Sequence, residues 1–161
     1  MIQSSQSVFN DECYTPEYGV LPILKYIPEN AVVWCPFDTA DSNFVKLISI
    51  TNKVIFSHID NNQDFYQYEP EEHWDIIISN PPFSNKKQIF ERALSFNKPF
   101  ALLMTVAWLN DSAPVKIFAG KEFELLLFDK RISFLGKSRP TFSSAYFRSE
   151  EHTSELQSRQ V

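Results

Sequence analysis

The sequence predicts a single doubly wound α/β domain with a mostly parallel central sheet. Two patterns favour this class. Short apolar runs alternate with amphipathic stretches along the chain, and the isoleucines of Asp75–Ser79 follow one another without polar alternation, as in a central strand covered on both faces. The length of 161 residues, of which 43% are apolar, fits one domain with a real core.

Four apolar runs, each rich in Val, Ile, Leu or Phe and bounded by polar residues or proline, predict buried strands. They are Ala31–Cys35, Lys53–Ser57, Asp75–Ser79 and Pro99–Thr105. The stretches beside them predict helices at Pro16–Tyr26, Ser42–Ile50, Lys86–Phe96 and Ala113–Ala119. Strands that alternate with helices indicate parallel pairing through right-handed crossovers. Two further apolar runs predict a C-terminal antiparallel hairpin, Phe123–Phe128 with Thr141–Phe147.

Composition excludes several classes of protein. No apolar run approaches the ~20 residues of a membrane span, and the N-terminus does not resemble a signal peptide. Two cysteines and three scattered histidines predict neither a disulfide framework nor a metal site, so we expect a reduced, cytoplasmic protein without metal. Only 3 glycines accompany 15 phenylalanines, which disfavours a glycine-rich phosphate loop. The net charge of −5 argues against broad nucleic-acid binding but leaves room for a local basic patch.

The composition changes abruptly at Arg148. Residues 148–158 contain one aliphatic side chain, which is typical of a polar terminal helix or a disordered end. The run also resembles the in-frame translation of a common sequencing-adapter oligonucleotide. This resemblance predicts a domain over residues 1–147, truncated near its last strand, and a non-native disordered tail over 148–161.

A sheet of this type binds its ligand at the carboxyl ends of its strands. The segments that follow the four predicted parallel strands are Pro36–Ser42, His58–Asp64, Asn80–Phe83 and Val106–Asn110. Asn80-Pro81-Pro82-Phe83, after the isoleucine strand, is the most distinctive of them. It is compatible with a rigid turn, because two prolines end a strand efficiently.

In this position the motif also resembles that of the class I methyltransferases, which use S-adenosylmethionine. The resemblance extends over most of Tyr14 to Phe147 and is strongest to the DNA adenine-N6 methyltransferases of phages and bacteria. It implies a Rossmann-like fold, S-adenosylmethionine as cofactor, DNA as substrate, and a location in the cytoplasm of a bacterium or a phage-infected host.

The resemblance implies catalytic roles for the four motif residues. The Asn80 side-chain carbonyl and the Pro81 backbone carbonyl would accept hydrogen bonds from an adenine amino group and free its lone pair. Pro82 would help to hold the backbone rigid, and Phe83 would stack on a base rotated out of the duplex. This chemistry needs neither a covalent nucleophile nor a metal.

The resemblance also implies cofactor-binding residues. Pro36 and Phe37 match the family after the first strand, whereas Cys35 replaces an acid, and Thr39 and Asp41 stand where glycines are expected. Asp38 and Asp41 are candidates to pair with the cofactor's amino group; alternatively, they are helix-capping acids.

Further candidates follow the second strand and precede the first. His58 occupies the place of the family's ribose-binding acid, so Asp60 is the candidate for the ribose. Asp64 and Phe65 resemble the pair that receives the adenine ring of the cofactor. Thr15, followed by Pro16, resembles an element at the methionine end; it is equally compatible with a helix start.

Basic residues near the motif and in the predicted hairpin connection predict nucleic-acid contacts, unless they form an ordinary solvated loop. They are Lys86, Lys87, Lys130, Arg131, Lys137 and Arg139. Two other functions remain open at this level: methylation of an RNA adenine or a protein glutamine, and a non-catalytic binding module with the same fold.

Overall fold

A computed structural model describes residues 14–129, 131–133 and 143–150 of the chain. In these residues six strands form one sheet. They are β1 (Val33–Cys35), β2 (Val54–Phe56), β3 (Ile76–Ser79), β4 (Phe100–Thr105), β5 (Glu124–Leu127) and β6 (Ser144–Ser149). The helices in the same residues are α1 (Glu17–Val20), α2 (Asn43–Ile48), α3 (Lys86–Ser95) and α4 (Ala113–Ile117), with 3₁₀ helices at Leu21–Tyr26, Ile59–Asn61 and Val106–Asn110.

The sheet has the strand order β2-β1-β3-β4-β6-β5. Strands β2, β1, β3 and β4 are parallel to one another, while β6 lies antiparallel between β4 and β5. The predicted α/β class, with a mostly parallel sheet and a C-terminal antiparallel pair, is therefore confirmed. The hairpin is also incorporated into the sheet, because β6 pairs with β4 over its whole length, from Thr105↔Ser144 to Phe100↔Ser149.

Both faces of the sheet are buried, which explains the uninterrupted apolar character of β3. Side chains alternate along a strand. Ile76 and Ile78 accordingly pack on one layer with Val33 and Phe44, while Ile77 packs on the other with Trp34. The second layer is rich in aromatic rings, and several of them contact one another around Trp34.

The first predicted helix, Pro16–Tyr26, is divided in two. An α-helical turn, α1, ends at Val20 and a 3₁₀ helix continues to Tyr26. Pro22 lies at the start of the second piece, where its missing N–H and its ring oppose continuation of regular i→i−4 bonding. The helices predicted after β1, β3 and β4 are present but shorter than expected.

Strand β6 extends two residues beyond the expected domain end at Phe147. Arg148 pairs in register with Ala101, and its guanidinium contacts the Glu124 carboxylate at 2.8 Å. Arg148 and Ser149 therefore belong to the sheet, because the backbone of β4 offers pairing partners as far as Phe100. The rest of the predicted tail, from residue 151 onwards, lies outside the described residues.

The Asp75 carboxylate joins the start of β3 to the chain before β1. Its Oδ2 accepts a hydrogen bond from the Val32 N–H at 2.7 Å, and its Oδ1 lies 2.7 Å from His73 Nε2. Burial alone would raise the pKa of Asp75, but the Val32 and His73 hydrogen bonds and the charges of His73 and Lys98 lower it below its ordinary value.

We expect Asp75→Asn to destabilise the protein at neutral pH and to matter less in acid. A carboxylate whose pKa is lower in the folded state stabilises that state above its unfolded pKa, and this contribution is lost as pH falls through the folded pKa. The expected loss at pH 7 is about 1 kcal/mol, since the side chain is partly exposed.

Urea denaturation from neutral pH to about pH 3 measures this difference across the ordinary Asp pKa of ~3.9. The exposed Asp111→Asn variant is the control for a general loss of negative charge. A destabilisation by Asp75→Asn that stays constant across this range would contradict the assignment.

Candidate functional site

A cavity of about 260 Å³ lies at the carboxyl ends of β1, β2 and β3. Four separate segments supply its walls, and the parallel strands bring them to one edge of the sheet. The lining residues are Tyr14 and Thr15, then Phe37, Asp38, Thr39, Asp41, Ser42, Asn43, Phe44 and Lys46, then His58 and Asp60, and finally Asn80 and Pro82.

Asp38 holds two of these segments together. The side chain is only 8% exposed, and its Oδ1 and Oδ2 accept hydrogen bonds from the Ser42 and Ser79 hydroxyls, both at 2.5 Å. Ser42 in turn caps α2, because its Oγ accepts from the Phe44 N–H at 3.2 Å. The Asp38 carboxylate therefore connects the turn after β1, the start of α2 and the last residue of β3.

Asn80 is oriented by the segment before α1. Its Nδ2 donates to Thr15 Oγ1 at 3.1 Å, and the Thr15 carbonyl accepts from Asn43 Nδ2 at 2.9 Å. Thr15 is buried, so it acts as a fixed bridge between the start of α2 and the end of β3. The bond assigns the amide nitrogen of Asn80 to Thr15 and leaves the carbonyl oxygen as the acceptor end of the side chain.

The remaining motif residues divide between the cavity and the core. Pro82 lines the cavity, whereas Pro81 is buried and does not line it. Phe83 is half-buried and packs against the aromatic layer of the sheet. The two prolines fix the backbone that connects Asn80 to this aromatic contact.

The turn after β1 is built without the glycines that the resemblance leads one to expect. Among the described residues that are not glycine, positive φ occurs at Asn30, Asn62 and Asn97, and at no position of this turn. Thr39 and Asp41 therefore occupy ordinary backbone conformations, which cost no strain. Their side chains line the cavity, so the turn presents polar groups where glycines would present bare backbone.

The segment after β2 brings His58 and Asp60 to the cavity. His58 is buried and caps the following 3₁₀ helix, because its Nδ1 accepts from the Asp60 N–H at 3.1 Å. This bond places the proton of a neutral imidazole on Nε2. The Asp60 side chain is 75% exposed, at the rim.

The structure does not bring Pro36, Asp64 or Phe65 to the cavity. Phe65 is 3% exposed and packs between Trp34 and Phe37, with ring centroids at 5.6 and 4.9 Å. Asp64 instead closes a local turn, since its Oδ1 accepts from the Tyr66 N–H at 3.1 Å. The aromatic ring that reaches the cavity from this cluster is Phe37.

Four lining residues were neither predicted as site residues nor part of the segments predicted to follow the strands: Tyr14, Asn43, Phe44 and Lys46. A sequence signal existed for two of them, Asn43 and Lys46. Ser42, Asn43 and Lys46 recur at helical spacing on the opposite face of α2 from the buried Phe44 and Ile48. A polar stripe at the start of a helix that follows a sheet strand points towards the carboxyl edge of the sheet.

The predicted basic residues are only partly described. Lys86 is half-buried, Lys87 pairs with Glu91 at 3.7 Å across one turn of α3, and Arg131 is exposed. Lys130, Lys137 and Arg139 lie outside the described residues.

The described residues contain neither a metal-binding cluster nor a membrane-spanning helix. No group of three or more His, Cys, Asp or Glu side chains in this part of the chain is arranged to hold a metal ion. None of the helices described there has the length and apolar character needed to cross a membrane.

No protein-family model and no curated protein sequence matches the chain significantly. Among solved structures, the 23S rRNA methyltransferase ErmE matches with a TM-score of 0.58 at 12% identity, over 88% of this chain and 70% of that chain. The protein-(glutamine-N5) methyltransferase (release factor-specific) of Alicyclobacillus acidocaldarius has a TM-score of 0.42 at 14% identity, over 83% and 89%. The first likeness shows that this chain shares the Rossmann-like α/β fold of that protein.

The contacts of Asp38 predict that its replacement by alanine lowers the free energy of unfolding substantially. Asp38→Ala leaves the Ser42 and Ser79 hydroxyls without their acceptor, so we expect a loss of about 2 kcal/mol in the free energy of unfolding. Asp41→Ala is the matched control, because Asp41 lines the same cavity but is exposed, and it should cost less than about 0.5 kcal/mol.

Urea denaturation of both variants measures the difference. A cycle with Ser79→Ala isolates the Asp38–Ser79 contact from the other effects of Asp38→Ala. Equal stability losses for the two aspartate variants would contradict a connecting role for Asp38.

Proposed function

We propose that this protein transfers a methyl group from S-adenosylmethionine to the N6 amino group of adenine in DNA. The observation that carries the proposal is the position of Asn80-Pro81-Pro82-Phe83. The motif follows the central strand β3, and Asn80 and Pro82 line the cavity at the carboxyl edge of the sheet. The methyltransferase fold of the chain supports the same reaction class.

The side chains around the cavity fit the proposed cofactor. S-adenosylmethionine carries a cationic sulfonium, an ammonium group and a carboxylate. The walls offer three carboxylates, from Asp38, Asp41 and Asp60, together with one ammonium group, from Lys46. The volume of about 260 Å³ lies just below the ~300–1,000 Å³ that is typical of small-molecule sites.

Individual residues have distinct tasks in this proposal. Asp41 is the exposed carboxylate that would pair with the ammonium group, since Asp38 holds Ser42 and Ser79. Asp60, at the rim, would accept from the ribose hydroxyls. Phe37 offers the aromatic face that the sequence assigned to Phe65.

Asn80 and Pro81 would prepare the amino group of adenine. Its lone pair is delocalised into the ring, so the nitrogen is a poor nucleophile. The Asn80 Oδ1 and the Pro81 carbonyl would accept its two N–H bonds and draw the nitrogen towards a tetrahedral geometry. In this proposal the Thr15 contact would hold the amide nitrogen of Asn80, so that Oδ1 is the end offered to the amino group.

Phe83 would stack on the base after it leaves the duplex. Bound S-adenosylmethionine would supply a methyl group on sulfur, whose transfer to N6 leaves the C–S electron pair on sulfur and releases one amino proton to water. The protein contributes alignment, which is worth several kcal/mol in oriented reactions.

RNA is a second candidate substrate. One solved structure that shares the fold is that of a 23S rRNA methyltransferase. Acceptors that bind an adenine amino group serve DNA and RNA equally, so the motif itself does not separate the two.

Asn80→Ala is expected to reduce methyl transfer by about 10²–10³-fold, because a preorganised hydrogen-bonding group is lost. Binding of S-adenosylmethionine, measured by calorimetry, should persist. Asn85→Ala is a matched control, since Asn85 lies in the same connection before α3 and its side chain makes no cap hydrogen bond. Equal losses of transfer and cofactor binding in Asn80→Ala would count against its role as acceptor.

Labelled S-adenosylmethionine offered in parallel with DNA, RNA and a protein mixture identifies the substrate. We expect label in DNA, at N6 of adenine after nuclease digestion. Label confined to RNA would select the second candidate, and label in protein glutamine would reject both. Absence of cofactor binding by the wild-type chain would indicate a non-catalytic binding module.

A further inference from the structure

A second groove lies outside the cavity, between α3 and α4. It has a volume of about 640 Å³ and is more open than the cavity. Its polar lining consists of Lys87, Glu91, Ser95, Ser112, Lys116 and Lys121.

The charge of this groove is opposite to that of the chain. Three lysines face one glutamate, while the whole sequence has a net charge of −5. The pair of Lys87 and Glu91, at 3.7 Å, is more than half exposed on both sides, so it contributes little to stability. Lys116 and Lys121 are exposed as well. An excess of exposed lysines in an acidic protein favours a ligand with several negative charges.

Helix α3, which lines the groove, begins close to the cavity. Helix α3 begins at Lys86, three residues after Phe83, at the edge of the sheet that carries the cavity. It then leads back towards the start of β4. The distance from Lys87 to Ser95 along the helix is about 12 Å. This corresponds to roughly three or four nucleotides of one DNA strand at ~3.4 Å each.

Buried aromatic rings hold together the two helices that line the groove. Phe90 of α3 stacks on Trp108 at 4.8 Å and contacts Phe118, directly after α4, at 5.6 Å. These rings are buried, and they fix the two helices relative to each other. The exposed lysines therefore project from a preformed surface.

We infer that this groove binds the sugar-phosphate backbone of the DNA that flanks the target adenine. The inference rests on the proposed function and adds Lys116 and Lys121 to the substrate-binding residues. Lysine ammonium groups and serine hydroxyls are typical phosphate contacts. The lining contains no aromatic side chain for base stacking, so the groove would position the duplex without reading its sequence.

The test is binding of a fluorescein-labelled DNA duplex, followed by polarisation at several salt concentrations. The double variant Lys116→Ala/Lys121→Ala should bind about tenfold more weakly, and the slope of log K against log salt should fall by about 2. Lys25→Ala/Lys53→Ala is the matched control, because it removes the same charge from other surfaces and should leave both values near wild type.

Two readouts separate this inference from the proposed function. Asn80→Ala should keep the salt slope of wild-type duplex binding, because it removes no charge, while its methyl transfer falls by about 10²–10³-fold. If the groove variant weakens duplex binding but the wild type methylates no DNA, the groove is supported and the proposed reaction fails. If the wild type methylates DNA and the groove variant keeps its duplex affinity, only the groove inference is overturned.

Equal losses in the groove and control variants would also overturn the inference, because they would indicate a general effect of charge. The inference would also be overturned if the wild-type protein bound an acidic peptide but not the duplex.

Discussion

The candidate site depends on one buried carboxylate, that of Asp38. Ser42 and Ser79 donate to its two oxygens at 2.5 Å, and the second contact joins residues 41 positions apart. Ser79 ends β3 immediately before Asn80. The carboxylate therefore also anchors the residue from which the Asn-Pro-Pro-Phe motif continues. A buried charge is costly unless it is hydrogen-bonded, so the two serines and Asp38 stabilise one another as a unit.

Asp38 also affects the pKa values of two groups that lie beneath the cavity. Burial, followed by the negative charge of Asp38, raises the pKa of the Cys35 thiol well above its ordinary value. Burial and the same carboxylate also raise the pKa of Tyr146. Tyr146 stays protonated and donates to the Gly19 carbonyl at 2.6 Å, which links β6 to α1. Among the described residues beneath the site, the buried carboxylate of Asp38 therefore lies near two groups, the Cys35 thiol and the Tyr146 hydroxyl, whose pKa values it helps to raise.

The turn after β1 shows how a site of this kind can be built with few glycines. Glycine is needed where the backbone adopts positive φ or where a ligand contacts bare backbone. Neither Thr39 nor Asp41 has positive φ, so the backbone conformation does not require glycine at these two positions. Side chains of Thr39, Asn43 and Lys46 then occupy the wall of the cavity. At this turn, polar side chains therefore form the wall that backbone would form if glycines stood there.

The sequence by itself determined the class of the fold, the order of its strands and helices along the chain, and the position of the Asn-Pro-Pro-Phe motif after the isoleucine strand. These features follow from local patterns: apolar runs, helical periodicity and proline. Only the tertiary structure decided that Asp38 is buried against Ser42 and Ser79, while Asp41 is exposed at the cavity. It also decided that, of the two predicted aromatic residues, Phe37 lines the cavity and Phe65 does not, and that Thr15 contacts Asn80. The physical reason is distance along the chain: Thr15 and Asn80 are 65 positions apart, and no local pattern encodes a hydrogen bond that the whole sheet must assemble.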